Sequence, residues 1–125
     1  MAVPSIRFFL DLIEAAQAPW GVSKTSLFDQ SVQVMLPKVP DLRERLQRFI
    51  DLKLPNPLDP NAKAGKHDRP FTNILVGFWH CHLAPDAILV YRLANRSIQL
   101  VLVCQHADIE GKRLMQTAKR LAAVA

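Results

Sequence analysis

The sequence has few cysteines and no long hydrophobic run. Two cysteines among 125 residues are too few for the disulfide framework of a small secreted domain, and the chain opens on no charged, apolar and small-residue leader pattern. No apolar run approaches the roughly 20 residues that a membrane span needs. We therefore expect a soluble, cytoplasmic protein with no membrane partner.

Acidic residues are also in short supply. The chain has 11 Asp and Glu against 16 Lys and Arg, a formal net charge of +5, and this excess favours polyanionic or acidic partners. Half of the residues are hydrophobic, which is enough for one core at this length. Charge alone identifies no function.

Hydrophobic periodicity predicts helices near both ends and one in the first half of the chain. Apolar residues recur at helical spacing in 5–18, in 41–54 and in 108–125, with Asp108 near the start of the last helix. Residues 21–36 fit either a short strand followed by a helix or one irregular helix.

The middle of the chain changes from a loop to extended strands. Residues 55–70 contain four prolines and a basic cluster, so we expect no regular structure there. Residues 73–82, 87–93 and 97–106 are rich in β-branched and aromatic side chains and are separated by turn-forming residues. Three antiparallel strands joined by tight turns are predicted.

Together these elements predict one α+β domain over residues 1–125, with N-terminal helices followed by a small antiparallel sheet. Within it we distinguish an extra N-terminal helix in 1–19, a core in 20–107 and a C-terminal helical extension in 108–125. No internal repeat suggests a second unit.

The stretch GFWHCHLAPD, residues 77–86, concentrates histidine and cysteine in one predicted strand. Alternate side chains of a strand share a face, so His80 and His82 point the same way. With Cys104 and His106 from the last strand they could form a four-ligand zinc site. The one-residue spacings are shorter than those typical of structural zinc sites, and free cysteines are commonly buried as small hydrophobic residues, so we expect no metal.

Acid–base chemistry is the other interpretation of these histidines. The pKa of imidazole lies near neutrality, and RNA cleavage needs one group to take the 2′-hydroxyl proton and another to protonate the leaving oxygen. His82, Asp86 and His106 lie at strand ends or in a turn, where side chains reach solvent. A structural role stays open for each, because Asp86 suits a turn after Pro85 and His106 could cap the last strand.

The region from His82 onward resembles the signature of the RelE/ParE toxin superfamily, and within it the YafQ branch. That branch has a His-x-x-Pro-Asp turn, then a strand ending in Tyr-Lys or Tyr-Arg, and a histidine after the last strand. The matching positions here are His82, Pro85, Asp86, Tyr91, Arg92 and His106. The match covers roughly residues 70–107, extends back to about residue 26, and is absent from the first and last helices.

The resemblance implies a ribosome-dependent mRNA endonuclease that uses no cofactor or metal and is neutralised by a cognate antitoxin. It implies catalytic roles for His82, Asp86 and His106, with His67 as a looser match to a further family histidine. The basic candidates for holding RNA are Lys63, Lys66, Arg69, Arg92 and Arg113. Partners would be the antitoxin, the ribosome and mRNA, and the terminal helices could also form a homodimer face.

Three departures from the family pattern support a second hypothesis. Ala87 stands where the YafQ branch has Trp, the last strand carries no basic residue, and Ile109 and Glu110 stand where Phe is expected. Losing an electrostatic stabiliser of the transition state commonly costs roughly 100-fold or more in rate. The alternative is a non-catalytic binding protein on the same fold, either a ParE-like topoisomerase inhibitor or a nucleic-acid-binding regulator.

Overall fold

The computed structural model describes residues 20–55, 57–58 and 66–123, so the helix predicted in 5–18 lies outside the described residues. The described helices and strands are β1 (Gly21–Lys24), α1 (Ser26–Met35), α2 (Leu42–Lys53), β2 (Lys66–Pro70), β3 (Trp79–Ala84), β4 (Ala87–Ala94), β5 (Ser97–Cys104) and α3 (Leu114–Ala122). The α+β class is confirmed. None of these helices is both long and apolar enough to cross a bilayer.

The sheet is larger than predicted. Five strands lie in the order β1-β5-β4-β3-β2, and β3, β4 and β5 form the predicted antiparallel meander. The small antiparallel sheet that the sequence predicts is extended at one edge by β1, which pairs parallel to β5, so the complete sheet is mixed. The strand-then-helix interpretation of 21–36 is confirmed by β1 and α1.

Two predicted boundaries are also wrong. The expectation of no regular structure in 55–70 fails over β2, which pairs antiparallel with β3 at the edge of the sheet, where the proline at its end breaks no ladder. The strand predicted over 73–82 begins only at Trp79. Before it, the Asn73 side chain accepts a hydrogen bond from the Leu75 N–H at 2.9 Å, and Gly77 has a φ of +100°, so this segment turns instead of extending.

The C-terminal helix begins later than predicted. Two 3₁₀ turns, His106–Ile109 and Gly111–Arg113, separate β5 from α3. Asp108 therefore caps the first of these turns, and its carboxylate accepts from the Gln105 N–H at 2.9 Å. Gly111 has a φ of +56°, a left-handed conformation that interrupts a continuous helix.

The sheet separates two hydrophobic clusters. Helices α1 and α2 pack on one face, over side chains such as Leu89 and Tyr91. The loop 71–78 and α3 pack on the opposite face, over side chains such as Ile88 and Val90. A bulge in β5 opposite the Val90–Tyr91 step shifts the alternation of that strand, so both faces receive apolar residues from its last half.

A buried ion pair joins α2 to the edge strand β2. Lys53 Nζ lies 2.9 Å from a carboxylate oxygen of Asp68, and the two residues are only 1% and 4% exposed. The Tyr91 hydroxyl donates to the other oxygen of Asp68, and the Trp79 ring lies 4.9 Å from the ammonium. Burial, followed by the hydrogen bond to Asp68, raises the pKa of Tyr91, which keeps the hydroxyl a donor.

Candidate active site

A cleft of about 480 Å³ opens on the α3 side of the sheet. It lies between β2, β3, the loop 71–78 and the first 3₁₀ turn after β5. The polar side chains that line it include Arg69, Asn73, His80, His82, His106 and Glu110. Polar side chains from β2, β3, the loop 71–78 and the turn after β5 therefore meet in one concave site, and the charged or titratable ones come from β2, β3 and that turn.

Strand register explains why β2 and β3 supply neighbouring groups. Arg69 of β2 pairs directly with His80 of β3, and paired residues of neighbouring strands share a face. His80 and His82 both line the cleft, so their predicted common orientation is confirmed. His80 is buried, with its ring centroid 4.4 Å from that of Phe71. It forms the floor of the cleft, while the exposed Arg69 lies at its side.

His82 of β3 and His106 of the first 3₁₀ turn after β5 are brought together, although β4 lies between β3 and β5. Their ring centroids are 5.5 Å apart and the rings are nearly perpendicular, at 83°. His106 Nε2 lies 3.2 Å from a carboxylate oxygen of Glu110, an ion pair when the imidazole is protonated, and the His106 side chain is 44% exposed. Within the described part of the chain, both ring nitrogens of His106 are buried and neither makes a hydrogen bond. The short distance between the two rings is what would let them act on one substrate.

Asp86 acts on the backbone next to this pair. Its carboxylate accepts from the His106 N–H at 2.8 Å and from the Gln105 side-chain amide at 3.0 Å. These bonds tie the β3–β4 turn to the end of β5. Asp86 does not line the histidine cleft but a separate depression beside Arg45, so its described contacts hold His106 in place without reaching into the cleft.

The basic candidates are distributed unevenly. Arg69 lines the cleft, whereas Arg92 and Arg113 do not. The Arg92 guanidinium donates to the Gln99 side chain and lies 5.9 Å from the centre of the Phe78 ring. Arg113 lies 3.4 Å from Asp108. His67 and Lys66 are placed in β2, and Lys63 lies outside the described residues.

The cysteines belong to the core. Cys81 and Cys104 are buried on opposite faces of the sheet, and burial, with nearby carboxylates second, raises the pKa of each thiol to about 12. Burial thus favours the neutral thiol of both residues, whereas thiolate is the form that binds metals. Among the described residues, no three or more His, Cys, Asp or Glu side chains are arranged to hold a metal ion. The alternative four-ligand site is therefore not formed.

Sequence patterns left part of the cleft unassigned. The sequence indicates His80 only as a possible metal ligand, and it gives no signal for Asn73 or Glu110 as site residues. The i, i+2 spacing of His80 and His82, which places both side chains on one face of a strand, is the signal that could have identified His80 as a cleft residue. Ala87, which replaces the expected Trp, is fully buried, so this position packs in the core under the α1–α2 layer and not in the cleft.

No protein-family model matches the chain, and comparison with curated protein sequences finds no significant match. Solved structures do match. The Escherichia coli DinJ–YafQ toxin–antitoxin complex contains a chain that is 22% identical, with a TM-score of 0.59 over 74% of this chain and 99% of that one. A metal-bound toxin from Helicobacter pylori is 25% identical, with a TM-score of 0.56 over 73% and 99%.

A YoeB/ParE toxin from Agrobacterium tumefaciens is 12% identical, with a TM-score of 0.56 over 69% of this chain and 98% of that one. These matches span nearly the whole length of each neighbour, so about a quarter of this chain or more is additional to their common fold. The predicted resemblance is confirmed at the level of structure: this chain has the fold of the RelE/ParE toxins, in the form seen in YafQ.

Proposed function

We propose that this protein is the toxin of a type II toxin–antitoxin system and that it cleaves mRNA on the ribosome. The observation that carries the proposal is the His82–His106 pair, with ring centroids 5.5 Å apart in a cleft that also presents Arg69. RNA cleavage by transphosphorylation needs a base, an acid and a positive charge. All three can be supplied here by side chains of one concave site.

The proposed reaction assigns a separate task to each group. One imidazole takes the proton of the 2′-hydroxyl as the 2′-oxygen attacks phosphorus, and the other gives its proton to the 5′-oxygen as the P–O5′ bond breaks. Glu110, 3.2 Å from His106 Nε2, can pair with an imidazolium at this position, so we assign His106 as the acid and His82 as the base. The products are a 2′,3′-cyclic phosphate and a 5′-hydroxyl.

Arg69 would supply the charge that the last strand lacks. A guanidinium binds phosphate oxygens through a rigid set of donors, and it stabilises the extra negative charge of the transition state. Asp86 would act as a positioning residue, because it holds the backbone of His106. Site geometry matters here, since a misplacement of about 1 Å can cost roughly 100-fold in rate.

An antitoxin is the proposed protein partner. One of the matched E. coli structures is a complex of YafQ with DinJ, and the net charge of +5 favours an acidic or amphipathic segment that folds on binding. The non-catalytic alternative remains a competing hypothesis, because the last strand has no basic residue and Ala87 is buried. The two hypotheses differ in whether RNA ends are created.

Replacing Arg69 by Gln tests the proposed site. We expect purified wild-type protein added to bacterial ribosomes translating a defined mRNA to create fragments with 2′,3′-cyclic phosphate ends. Arg69→Gln should lower this rate by roughly 100- to 1,000-fold, the range for removing one transition-state donor. Arg43→Gln removes the same charge from an exposed position on α2, across the sheet from the cleft, and should leave the rate unchanged. Equal losses in the two variants, or fragments without cyclic phosphates, would refute the assignment.

A further inference from the structure

The exposed side of α3 and of the 3₁₀ turn before it carries charge of one sign. Residues 111–125 contain no Asp or Glu. Four basic residues, all exposed, form what we call the α3 basic face: Lys112, Arg113, Lys119 and Arg120. On the opposite side of the helix, Thr117 and Leu121 are buried, and Leu121 packs in the cluster over the sheet. One side of α3 is therefore basic and exposed, and the opposite side is buried against the sheet.

The α3 basic face begins at the rim of the histidine cleft. Glu110 lines the cleft, and Lys112 follows it by two residues, so their Cα atoms are at most about 7.6 Å apart. The Thr117 hydroxyl donates to the Asp108 carbonyl, which fixes α3 against the turn that carries His106. From this rim, nine helical residues extend the face by about 13 Å.

Helix stability does not explain all four charges. Lys119 and Arg120 lie in the last turn of α3, where cations are favoured by the helix dipole. Lys112 and Arg113 precede its first turn, where cations are disfavoured, and that turn has no acidic residue and no side-chain cap. Among the described residues, the 3.4 Å contact between Arg113 and Asp108 is the ion pair that neutralises one of the four. A bound polyanion would neutralise the others.

We propose that the α3 basic face binds the phosphates of the RNA strand as it leaves the cleft. The inference rests on the proposed ribonuclease function, because the cleft would hold the scissile phosphate. A stacked strand advances about 3.4 Å per nucleotide, so a face of about 13 Å meets several successive phosphates. An amphipathic protein segment fits this face less well, because such a segment needs apolar surface to bind. Among the described residues of α3, Met115 is the one large apolar side chain that is exposed.

The test measures RNA binding separately from cleavage. In a His82→Ala, His106→Ala background, the affinity for a short unstructured single-stranded RNA is measured by fluorescence anisotropy at several salt concentrations. Lys119→Gln with Arg120→Gln should weaken binding on the order of tenfold at low salt and reduce the slope of log affinity against log salt by about 1.4, since each phosphate contact contributes about 0.7 for single strands. Both positions are exposed, and unchanged urea midpoints would show that the fold is kept.

The matched control is Arg43→Gln with Arg48→Gln, which removes the same charge from exposed positions of α2 and should leave the salt slope unchanged. Equal effects of the two pairs, or no measurable RNA binding by the parent, would overturn the inference. Unchanged RNA affinity with lost antitoxin binding would also overturn it and assign the face to a protein. If the wild type cleaves RNA but the Lys119→Gln, Arg120→Gln variant binds RNA as tightly as its parent, this inference alone is refuted. If binding depends on the α3 basic face but the wild type cleaves no RNA, the proposed function alone is refuted.

Discussion

Lys53→Met is expected to lower the free energy of unfolding by about 3–5 kcal/mol, because the change removes the cation beside the Asp68 carboxylate in a site closed to water. Lys53 Nζ and the Asp68 carboxylate are 2.9 Å apart, and both side chains are almost inaccessible. The Tyr91 hydroxyl satisfies the second oxygen of Asp68 but brings no positive charge. The loss would be measured as a shift of the urea unfolding midpoint.

Removing both charges should be far less damaging than removing one. Lys53→Met with Asp68→Leu removes both charges of the pair, and hydrophobic replacement of a buried ion pair is often neutral or stabilising. The double variant should therefore recover most of the stability that Lys53→Met loses, apart from the orphaned Tyr91 hydroxyl. Lys24→Met is the surface control, because the Lys24–Asp29 pair at 3.0 Å is more than half exposed and such pairs contribute about 0.2–1 kcal/mol. A Lys53→Met loss no larger than that of Lys24→Met would show that the buried pair is not formed.

The ion pair also bears on the site, because Asp68 directly precedes Arg69 in the edge strand β2. This strand has only five residues and an irregular register between Lys66 and Arg69, so few backbone bonds hold it to the sheet. The bond to Lys53 attaches it to α2 instead. Weakening this attachment should therefore move Arg69 relative to the histidines.

His82→Ala and His106→Ala are each expected to lower mRNA cleavage by roughly 100- to 10,000-fold, the usual contribution of a general acid or base. The two imidazoles would act on one reaction, so removing both should cost about as much as the worse single change. Neither residue is buried, and the unfolding free energy should change little. The rates are measured with translating ribosomes, with the urea midpoint of each variant as the folding control. Full cleavage by either variant would remove that histidine from the mechanism.

The elements predicted well from the sequence are those whose local pattern matches their environment. The helical stripe in 41–54 corresponds to α2, with Leu46 and Phe49 buried, and the β-branched runs correspond to β4 and β5. Strand β1 could not be assigned firmly because all four of its residues are exposed and no apolar alternation marks it. Its place in the sheet depends on pairing with β5, which is distant in sequence.

The candidate site was only partly predictable for the same reason. His82 and His106 were identified from motif and chemistry, but their 5.5 Å separation depends on two strand pairings and on the bulge in β5. Arg69 could not be singled out among the basic residues of its loop, because only its pairing with His80 places it in the cleft. Both the His82–His106 distance and the position of Arg69 depend on the register of strands that are distant in sequence, which no local pattern encodes.

Mapping new RNA 5′ ends across the transcriptome tests the ribosome-coupled nuclease most directly. The wild-type protein and the His82→Ala, His106→Ala double variant are each induced in a bacterial host, and RNA is sampled within minutes. We predict new in-frame cuts within translated codons for the wild type alone. Growth arrest by the wild type without new RNA ends would contradict the proposed nuclease and indicate that this fold acts by binding another target.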